Sequence, residues 1–193
     1  MKKAAAGIFA ALATVAFAGG AHAQIVPNLT PFSVEVRGGA SIPTGTFKDN
    51  FKTGYTTSAN VTFHALPVLG IYGGYSLNGY DVKDAAGGGS VREQGFDAGV
   101  RVDVPTPLIP IDPFIRAGAV YHKLKETGTT SPAETDNKLG FEVGAGVAFA
   151  LGPKVSVTPA VSYTKISDVE VSGVPIGLDI SHVRADIGIR IRI

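Results

Sequence analysis

The sequence predicts an all-β fold, an eight-stranded, antiparallel, up-and-down transmembrane β-barrel. The first observation is the alternation of residues 183–193, which place Val, Ala and Ile on one face and Arg, Asp and Gly on the other. Because a strand has a period of two residues, such a segment has one apolar and one polar face. The second observation is that this pattern recurs in about eight segments separated by turn-forming residues, which is typical of membrane barrels.

The N-terminus predicts export from the cytoplasm. Lys2 and Lys3 precede an apolar, Ala-rich run over residues 4–18, and Ala21-His22-Ala23 has the pattern of a cleavage site. We therefore expect residues 1–23 to be a cleaved signal peptide and residues 24–193 to form the barrel domain. No other stretch has the roughly 20 apolar residues of a spanning helix, so the mature chain would enter a membrane only as strands of a closed barrel.

The first half of the mature chain predicts four strands, at residues 32–40, 54–64, 69–78 and 94–104. In each of them aliphatic and aromatic residues alternate with small or polar residues. Residues 41–53, rich in Pro, Gly, Asp and Asn, and residues 79–93, which contain a Gly-Gly-Gly-Ser run, predict long loops. Residues 65–67 predict a tight turn between strands two and three.

The second half predicts strands at residues 114–124, 139–151, 155–165 and 180–193. The segment 105–113 holds four prolines and is predicted to lie outside any strand. Residues 125–138 and 166–179 predict loops, and Gly152-Pro153-Lys154 predicts a tight turn. Long loops thus gather on one rim and short turns on the other, apart from the segment 105–113, and the even strand count puts both termini on the turn rim.

Aromatic residues fall near the ends of the predicted strands and indicate two interfacial girdles on the lipid-facing surface. The alternative is the ordinary preference of aromatic residues for strands. The loop-side candidates are Tyr55, Tyr75, Tyr121 and Tyr163, and the turn-side candidates are Phe32, Phe63, Phe114 and Phe149.

The opposite face is small and polar and predicts a filled interior with paired charges, because an eight-stranded barrel is narrow and a buried charge needs a partner. The pairs expected from hairpin register and barrel closure are Asp103 with Arg116, Glu35 with Arg190 or Arg192, and Glu142 with His122. The predicted interior charge network consists of Glu35, Arg37, Asp97, Arg101, Asp103, Arg116, Glu142, Arg184, Asp186, Arg190 and Arg192.

The sequence offers little for catalysis or cofactor binding. The chain has no Cys, which excludes disulfides and thiolate metal sites. His64, His122 and His182 lie on the predicted inner face at different depths, and we interpret them as structural rather than as metal ligands. No nucleophile motif is present, and without Lys2 and Lys3 the 17 basic residues fall to 15 against 16 acidic ones, which does not indicate nucleic-acid binding. We expect no catalytic, cofactor or metal site.

Two segments resemble a known family. Residues 42–47, Ile-Pro-Thr-Gly-Thr-Phe, with the following Asp49-Asn50-Phe51-Lys52-Thr53-Gly54-Tyr55, resemble the first-loop signature of small bacterial outer-membrane β-barrel-domain proteins. Residues 151–155 and 159–163 are similar to their penultimate hairpin. The family includes the membrane domain of outer membrane protein A and barrels of the protein X type. Members usually end in an aromatic residue, where this chain has Ile193.

The resemblance implies a bacterial outer-membrane protein without enzymatic activity, with a structural or surface-interaction role through four loops. It implies as partners the outer-membrane lipid, lipopolysaccharide and the barrel assembly machinery, together with an extracellular partner that the sequence does not name. A soluble lipocalin-like barrel with the apolar face inside is the first alternative. A narrow channel and a lipid-modifying enzyme with a His, Ser and acid cluster on the outer face are the others.

Overall fold

The computed structural model describes residues 31–83, 89–104, 106, 111–127 and 134–193 and confirms the predicted fold. The strands form one closed barrel in which each is antiparallel to the next, and the last strand pairs with the first. Closure removes both sheet edges. The predicted signal peptide lies outside the described residues.

The elements follow in the predicted order, with one short helix between the first two strands. That helix and the rim of loops around it define what we call the loop rim, and the opposite end is the turn rim. The bounds are β1 Phe32–Pro43, α1 Phe47–Asn50, β2 Gly54–Leu66, β3 Leu69–Asp81, β4 Ser90–Asp103, β5 Ile111–Thr127, β6 Lys138–Ala150, β7 Val155–Val171 and β8 Val174–Arg192.

The strands extend further at the loop rim than predicted. The segment 166–179, predicted to be a loop, is a two-stranded arm in which Val171 pairs with Val174. Its turn consists of Ser172 (φ 51°) and Gly173 (φ 78°). Positive φ at both central residues is what a type I′ hairpin turn requires, and Gly adopts it without steric cost. The Ser-Gly pair was therefore a hairpin signal that the strand prediction missed.

The turn rim also differs from the prediction. β5 begins at Ile111, so Pro113 lies within the strand and opposite Val147, although the segment 105–113 was predicted to lie outside strands. Pro113 contributes its carbonyl oxygen, which accepts a hydrogen bond from the Val104 amide (2.8 Å). A proline near the start of a strand is tolerated because only its missing N–H is lost to the ladder.

The apolar face points outward along the whole barrel. Leu139 is 69 % exposed and Phe96 67 % exposed, whereas buried side chains inside the barrel are largely polar. This polarity is the reverse of a lipocalin-like barrel, so that alternative is wrong. No helix in the described part of the chain is long and apolar enough to cross a membrane.

Phe114 corrects the aromatic prediction. It is only 1 % exposed, because it lies an even number of residues from the inward-facing Arg116 and shares its face. The remaining turn-side candidates Phe32, Phe63 and Phe149 are exposed on the outer face. On the loop side Tyr55, Tyr75 and Tyr121 are exposed, and Tyr163 contacts the outward-facing Phe141.

An apolar cluster fills the barrel at the loop rim, where the sequence analysis predicted none. Its members are inward-facing residues near the loop ends of the strands and the aromatic residues of the α1 segment. We call it the apolar plug, and it consists of Phe47, Phe51, Tyr80, Val120, Leu124, Ile166, Val169 and Ile180.

Candidate functional site in the barrel interior

The interior layer nearest the turn rim is organised around Arg101. Its Nη2 lies 2.9 Å from Asp103 Oδ1, its Nη1 lies 3.3 Å from Glu35 Oε2, and its guanidinium lies 3.5 Å from the centroid of the Phe114 ring. Arg190 Nη1 approaches the same Asp103 oxygen at 3.3 Å. Phe114 therefore belongs to the charge network as a cation–π partner.

The next layer joins the first strand to the last two. Arg37 forms ion pairs with Glu35 and Asp186, and both carboxylates are buried. Thr158 Oγ1 donates a hydrogen bond to Glu35 Oε1 (3.1 Å). Glu35 thus holds groups from β1, β4 and β7 together, which ties distant strands across the barrel lumen.

Glu142 is the centre of the third layer. It forms ion pairs with Arg116 and Arg184, and Arg184 Nε donates to Ser162 Oγ at 3.1 Å. The Arg116 guanidinium lies 4.6 Å from the centroid of the Tyr72 ring. The network therefore alternates cations with carboxylates and aromatic faces, as burial demands.

Two interior glycines make room for Tyr72. A Cβ at Gly99 would lie 2.7 Å from the Tyr72 hydroxyl oxygen, and a Cβ at Gly118 would lie 2.6 Å from it. Larger residues at these positions would displace the tyrosine ring from Arg116. The small residues of the inner face are therefore the spaces into which long side chains of neighbouring strands fit.

The layer below the apolar plug is built around Glu93. His122 Nδ1 lies 2.8 Å from Glu93 Oε1, and His182 Nδ1 lies 3.4 Å from Glu93 Oε2. Tyr80 donates to the same carboxylate at 3.3 Å, and its hydroxyl lies 2.7 Å from Ser41 Oγ. Glu93 was not among the predicted interior residues, because the segment 79–93 was predicted to be a loop. In the structure Glu93 continues the alternation of β4 through Gly95 and Asp97.

Two of the three predicted pairings differ from the observed contacts. Arg116 lies opposite Arg101 rather than Asp103, because the register between β4 and β5 differs by two residues from the expected one. Arg116 pairs instead with Glu142, which leaves His122 to other partners. The structure places Glu35 opposite Arg190, as expected, but the Glu35 carboxylate contacts Arg37 and Arg101.

The predicted network residues otherwise lie inside the barrel. All are buried except Asp103 and Arg192, which are partly exposed near the turn rim. His64 also lies near the turn rim, while His122 and His182 meet around Glu93 as described. Within the described ranges, no group of three or more His, Cys, Asp or Glu side chains could hold a metal ion.

One interior arrangement has the geometry of a catalytic triad. Ser76 Oγ lies 3.2 Å from His122 Nε2, and Glu93 lies at the other ring nitrogen. However, Asp97 Oδ1 also lies 2.9 Å from His122 Nε2, and Ser76 is completely buried beneath the apolar plug. Ser76 is thus covered by other side chains, and His122 is held between the Glu93 and Asp97 carboxylates.

Among the residues that the structure describes, large polar and aromatic side chains occupy much of the barrel interior. A cavity below the middle of the barrel has a volume of about 10 Å³, between Tyr72, Arg101 and Arg116. That is about the smallest volume that holds one water. This arrangement is that of a lumen packed with ion-paired side chains and not that of a ligand-binding chamber.

Residues 9–181 match the family described as outer membrane protein beta-barrel domain. The chain belongs to this family. It is a protein of the bacterial outer membrane, as the sequence resemblance implied.

Solved structures of this fold agree with the assignment. Neisserial surface protein A is 14 % identical, with a TM-score of 0.65, and the match covers 84 % of this chain and 97 % of that one. OprG from Pseudomonas aeruginosa is 12 % identical, with a TM-score of 0.51, and the match covers 83 % of this chain and 96 % of that one. A search of curated protein sequences found no match.

Proposed function

We propose that this protein is a non-enzymatic outer-membrane barrel with a structural or surface-interaction role, which it performs through its loop rim. The observation that carries the proposal is the filled interior: an apolar plug lies above layers of paired charges. A barrel built in this way is a rigid support for its loops rather than a path for solutes.

The plug is fastened to the barrel wall by α1. Phe47 is completely buried, and its ring packs edge-on against Tyr80 with centroids 5.2 Å apart. The segment before the helix is tied to β8, because the Thr44 amide donates to the Ser181 carbonyl (2.8 Å) and Ser181 Oγ donates to the Thr44 carbonyl (2.9 Å). These contacts favour a permanently closed end.

At the loop rim, hydrogen bonds and an ion pair hold the arm formed by the ends of β7 and β8 in place. The Gly173 amide donates to Asp136 Oδ2 (2.7 Å), and the Asp136 amide donates to the Glu170 carbonyl (2.8 Å). Lys138 Nζ lies 2.7 Å from Glu170 Oε1. The arm is therefore held against the segment before β6, and it projects the exposed Val174 beyond the barrel. A surface ordered in this way binds a partner at a smaller entropic cost than a free loop does.

The proposed partners are the outer-membrane lipid and lipopolysaccharide around the barrel, the assembly machinery that inserts it, and an extracellular partner at the loop rim. The apolar outer face supports the first of these directly. No cofactor or nucleic acid has a place in the proposal. A lipid-modifying activity is less well supported, because the Ser76–His122–Glu93 arrangement lies inside the barrel and not on the lipid-facing surface.

The proposal requires the arm to face the cell exterior, and cysteine labelling tests this. The chain has no Cys, so Val174→Cys on the arm and Lys154→Cys on the turn rim each introduce one thiol. On intact cells a membrane-impermeant maleimide should label Val174→Cys. Lys154→Cys should be labelled only after the outer membrane is permeabilised. The reverse pattern would contradict a surface role for the loop rim.

A further inference from the structure

A polar cleft opens on the outer face of the barrel at the loop rim, away from the filled interior. It lies across the ends of β2, β3, β4 and β5 and has a volume of about 230 Å³. The side chains and backbone that matter for its chemistry belong to Tyr55, Gly79, Asp81, Ser90, Arg92 and Thr127.

The cleft exists because the middle of three adjacent outward positions has no side chain. Strand register places Gly79 between Tyr55 and Arg92. A Cβ at Gly79 would lie 2.4 Å from Tyr55 Cε1, so the tyrosine ring occupies the space above the glycine. The tyrosine ring therefore covers Gly79 and lines the cleft, and Arg92 lies opposite Gly79 on the next strand.

Arg92 is a cation without a counter-ion among the residues that the structure describes. Its Nε is buried and makes no hydrogen bond there. The next outward position in register is Lys125, and Lys123 follows two residues away. Glu134 lies 2.5 Å from Lys125 Nζ and 2.7 Å from Lys123 Nζ, so one carboxylate serves both lysines. Glu134 is therefore engaged by the two lysines, and none of the ion pairs found among the described residues includes Arg92.

Glu134 stays ionised over the whole physiological range. Hydrogen bonds from Lys123 and Lys125 lower the pKa of the Glu134 carboxyl to about 2. The one negative charge of Glu134 is therefore engaged by Lys123 and Lys125, and it does not neutralise Arg92. This favours an anionic group at Arg92 supplied from outside the chain.

The height of the cleft identifies the layer from which a ligand would come. The exposed aromatic residues Tyr75, Phe96 and Tyr121 form a row four residues below Arg92 on β4, which is about 13 Å along a strand. Aromatic side chains of this kind mark the boundary of the hydrocarbon region. A cleft above them on the lipid-facing side lies among the headgroups of the outer leaflet.

We propose that the cleft binds the phosphorylated sugar headgroup of an outer-leaflet glycolipid. Arg92 pairs with the phosphate, for which its planar fork of donors is suited. The Tyr55 ring packs against the sugar face, and the Ser90 and Thr127 hydroxyls and the Asp81 carboxylate bind sugar hydroxyls. A phospholipid diester supplies an anionic group for Arg92 but no sugar ring for Tyr55 to pack against, and it has fewer hydroxyl groups for Asp81 to bind. The inference rests on the proposed function, since it specifies the lipid partner.

The test is binding of defined lipids to the refolded barrel in a non-ionic detergent, measured by titration calorimetry. The probes are diphosphoryl lipid A, its dephosphorylated form and phosphatidylglycerol. Wild type should bind diphosphoryl lipid A at least tenfold more tightly than the other two. Arg92→Gln should weaken this binding about tenfold, the cost of one charge-assisted contact. Tyr55→Ala removes the ring that packs against the sugar and should weaken binding by about the same factor. The matched control Lys154→Gln removes a positive charge at the opposite rim and should leave it unchanged.

Three outcomes would overturn the proposal: no saturable binding by wild type, equal binding of phosphatidylglycerol, or equal losses in Arg92→Gln and Lys154→Gln. Each variant is first checked for folding by the difference in gel mobility between unboiled and boiled samples. A barrel that folds, displays Val174 on the cell surface and ignores lipid A would disprove this inference while leaving the proposed function standing.

Discussion

At the scale of single residues, the interior depends on carboxylates that each serve two cations. Glu142 contacts Arg116 and Arg184, and Glu35 contacts Arg37 and Arg101. Removing one partner from such a group leaves an uncompensated buried charge, which costs more than the pair itself contributes to stability. The shared carboxylates are therefore the sensitive points of the network.

Glu142→Gln tests this directly. The substitution keeps the shape of the side chain but leaves Arg116 and Arg184 without their anion, and it should lower the free energy of unfolding by about 3–5 kcal/mol. Urea titration in lipid vesicles, followed by the gel mobility of the folded band, measures the change. The control Glu134→Gln removes an exposed carboxylate and should leave the midpoint unchanged. Equal midpoints for both variants would show that the interior network does not stabilise the barrel.

The sequence predicted which residues face the interior but not how they pair. The alternation of side chains identifies a face, and a register shift of two residues leaves every face unchanged. The expected Asp103–Arg116 pair failed for this reason, because the real register differs from the expected one by two. Residue type alone can also mislead. The aromatic side chain of Phe114 indicated a lipid-facing girdle, whereas its even spacing from Arg116 puts it inside the barrel.

At the scale of elements, the strands continue beyond the part that alternates cleanly. Above the lipid, both faces of a strand meet water or protein, so the sequence no longer has to alternate. The arm formed by the ends of β7 and β8 contains Gly, Asp and Pro and was predicted as a loop. The positive-φ turn at Ser172 and Gly173 pairs its two sides nevertheless.

The apolar plug is a feature that the sequence patterns did not predict. Its residues come from α1, the residue that follows α1 and four strands, and none of these segments alone shows an apolar inner face. Val120 and Leu124 share the parity of Arg116 and His122, so alternation puts both inside the barrel without showing that they belong to one cluster. Their common height in the barrel depends on strand tilt and register, which a single sequence does not contain.

Phe47→Ala should release α1 from the plug. Truncating a fully buried Phe typically costs about 3–5 kcal/mol, enough to undock a helix of one turn while the strands remain paired. Trypsin should then cleave the folded barrel faster at Lys48 or Lys52. The control Phe63→Ala truncates an exposed phenylalanine on the outer face and should not change the rate. Equal cleavage in both variants would mean that Phe47 does not hold the helix in place.

At the scale of the whole molecule, the barrel presents three different chemical environments. Its outer face is apolar for lipid, its inner face is polar and ion-paired, and its loop end is closed by an apolar core. Composition and periodicity were sufficient to predict the barrel, its strand count and its inside–outside polarity. The closed end could not be predicted from the sequence, because it results from contacts between residues far apart in the chain.

Single-channel recording in planar bilayers shows whether the lumen of this barrel is closed. The purified wild-type protein is inserted after its folding has been verified by gel mobility. We predict no reproducible conductance steps, because paired charges and the apolar plug fill the lumen. Regular steps that scale with the amount of inserted protein would contradict the account and would make solute passage the function of this barrel.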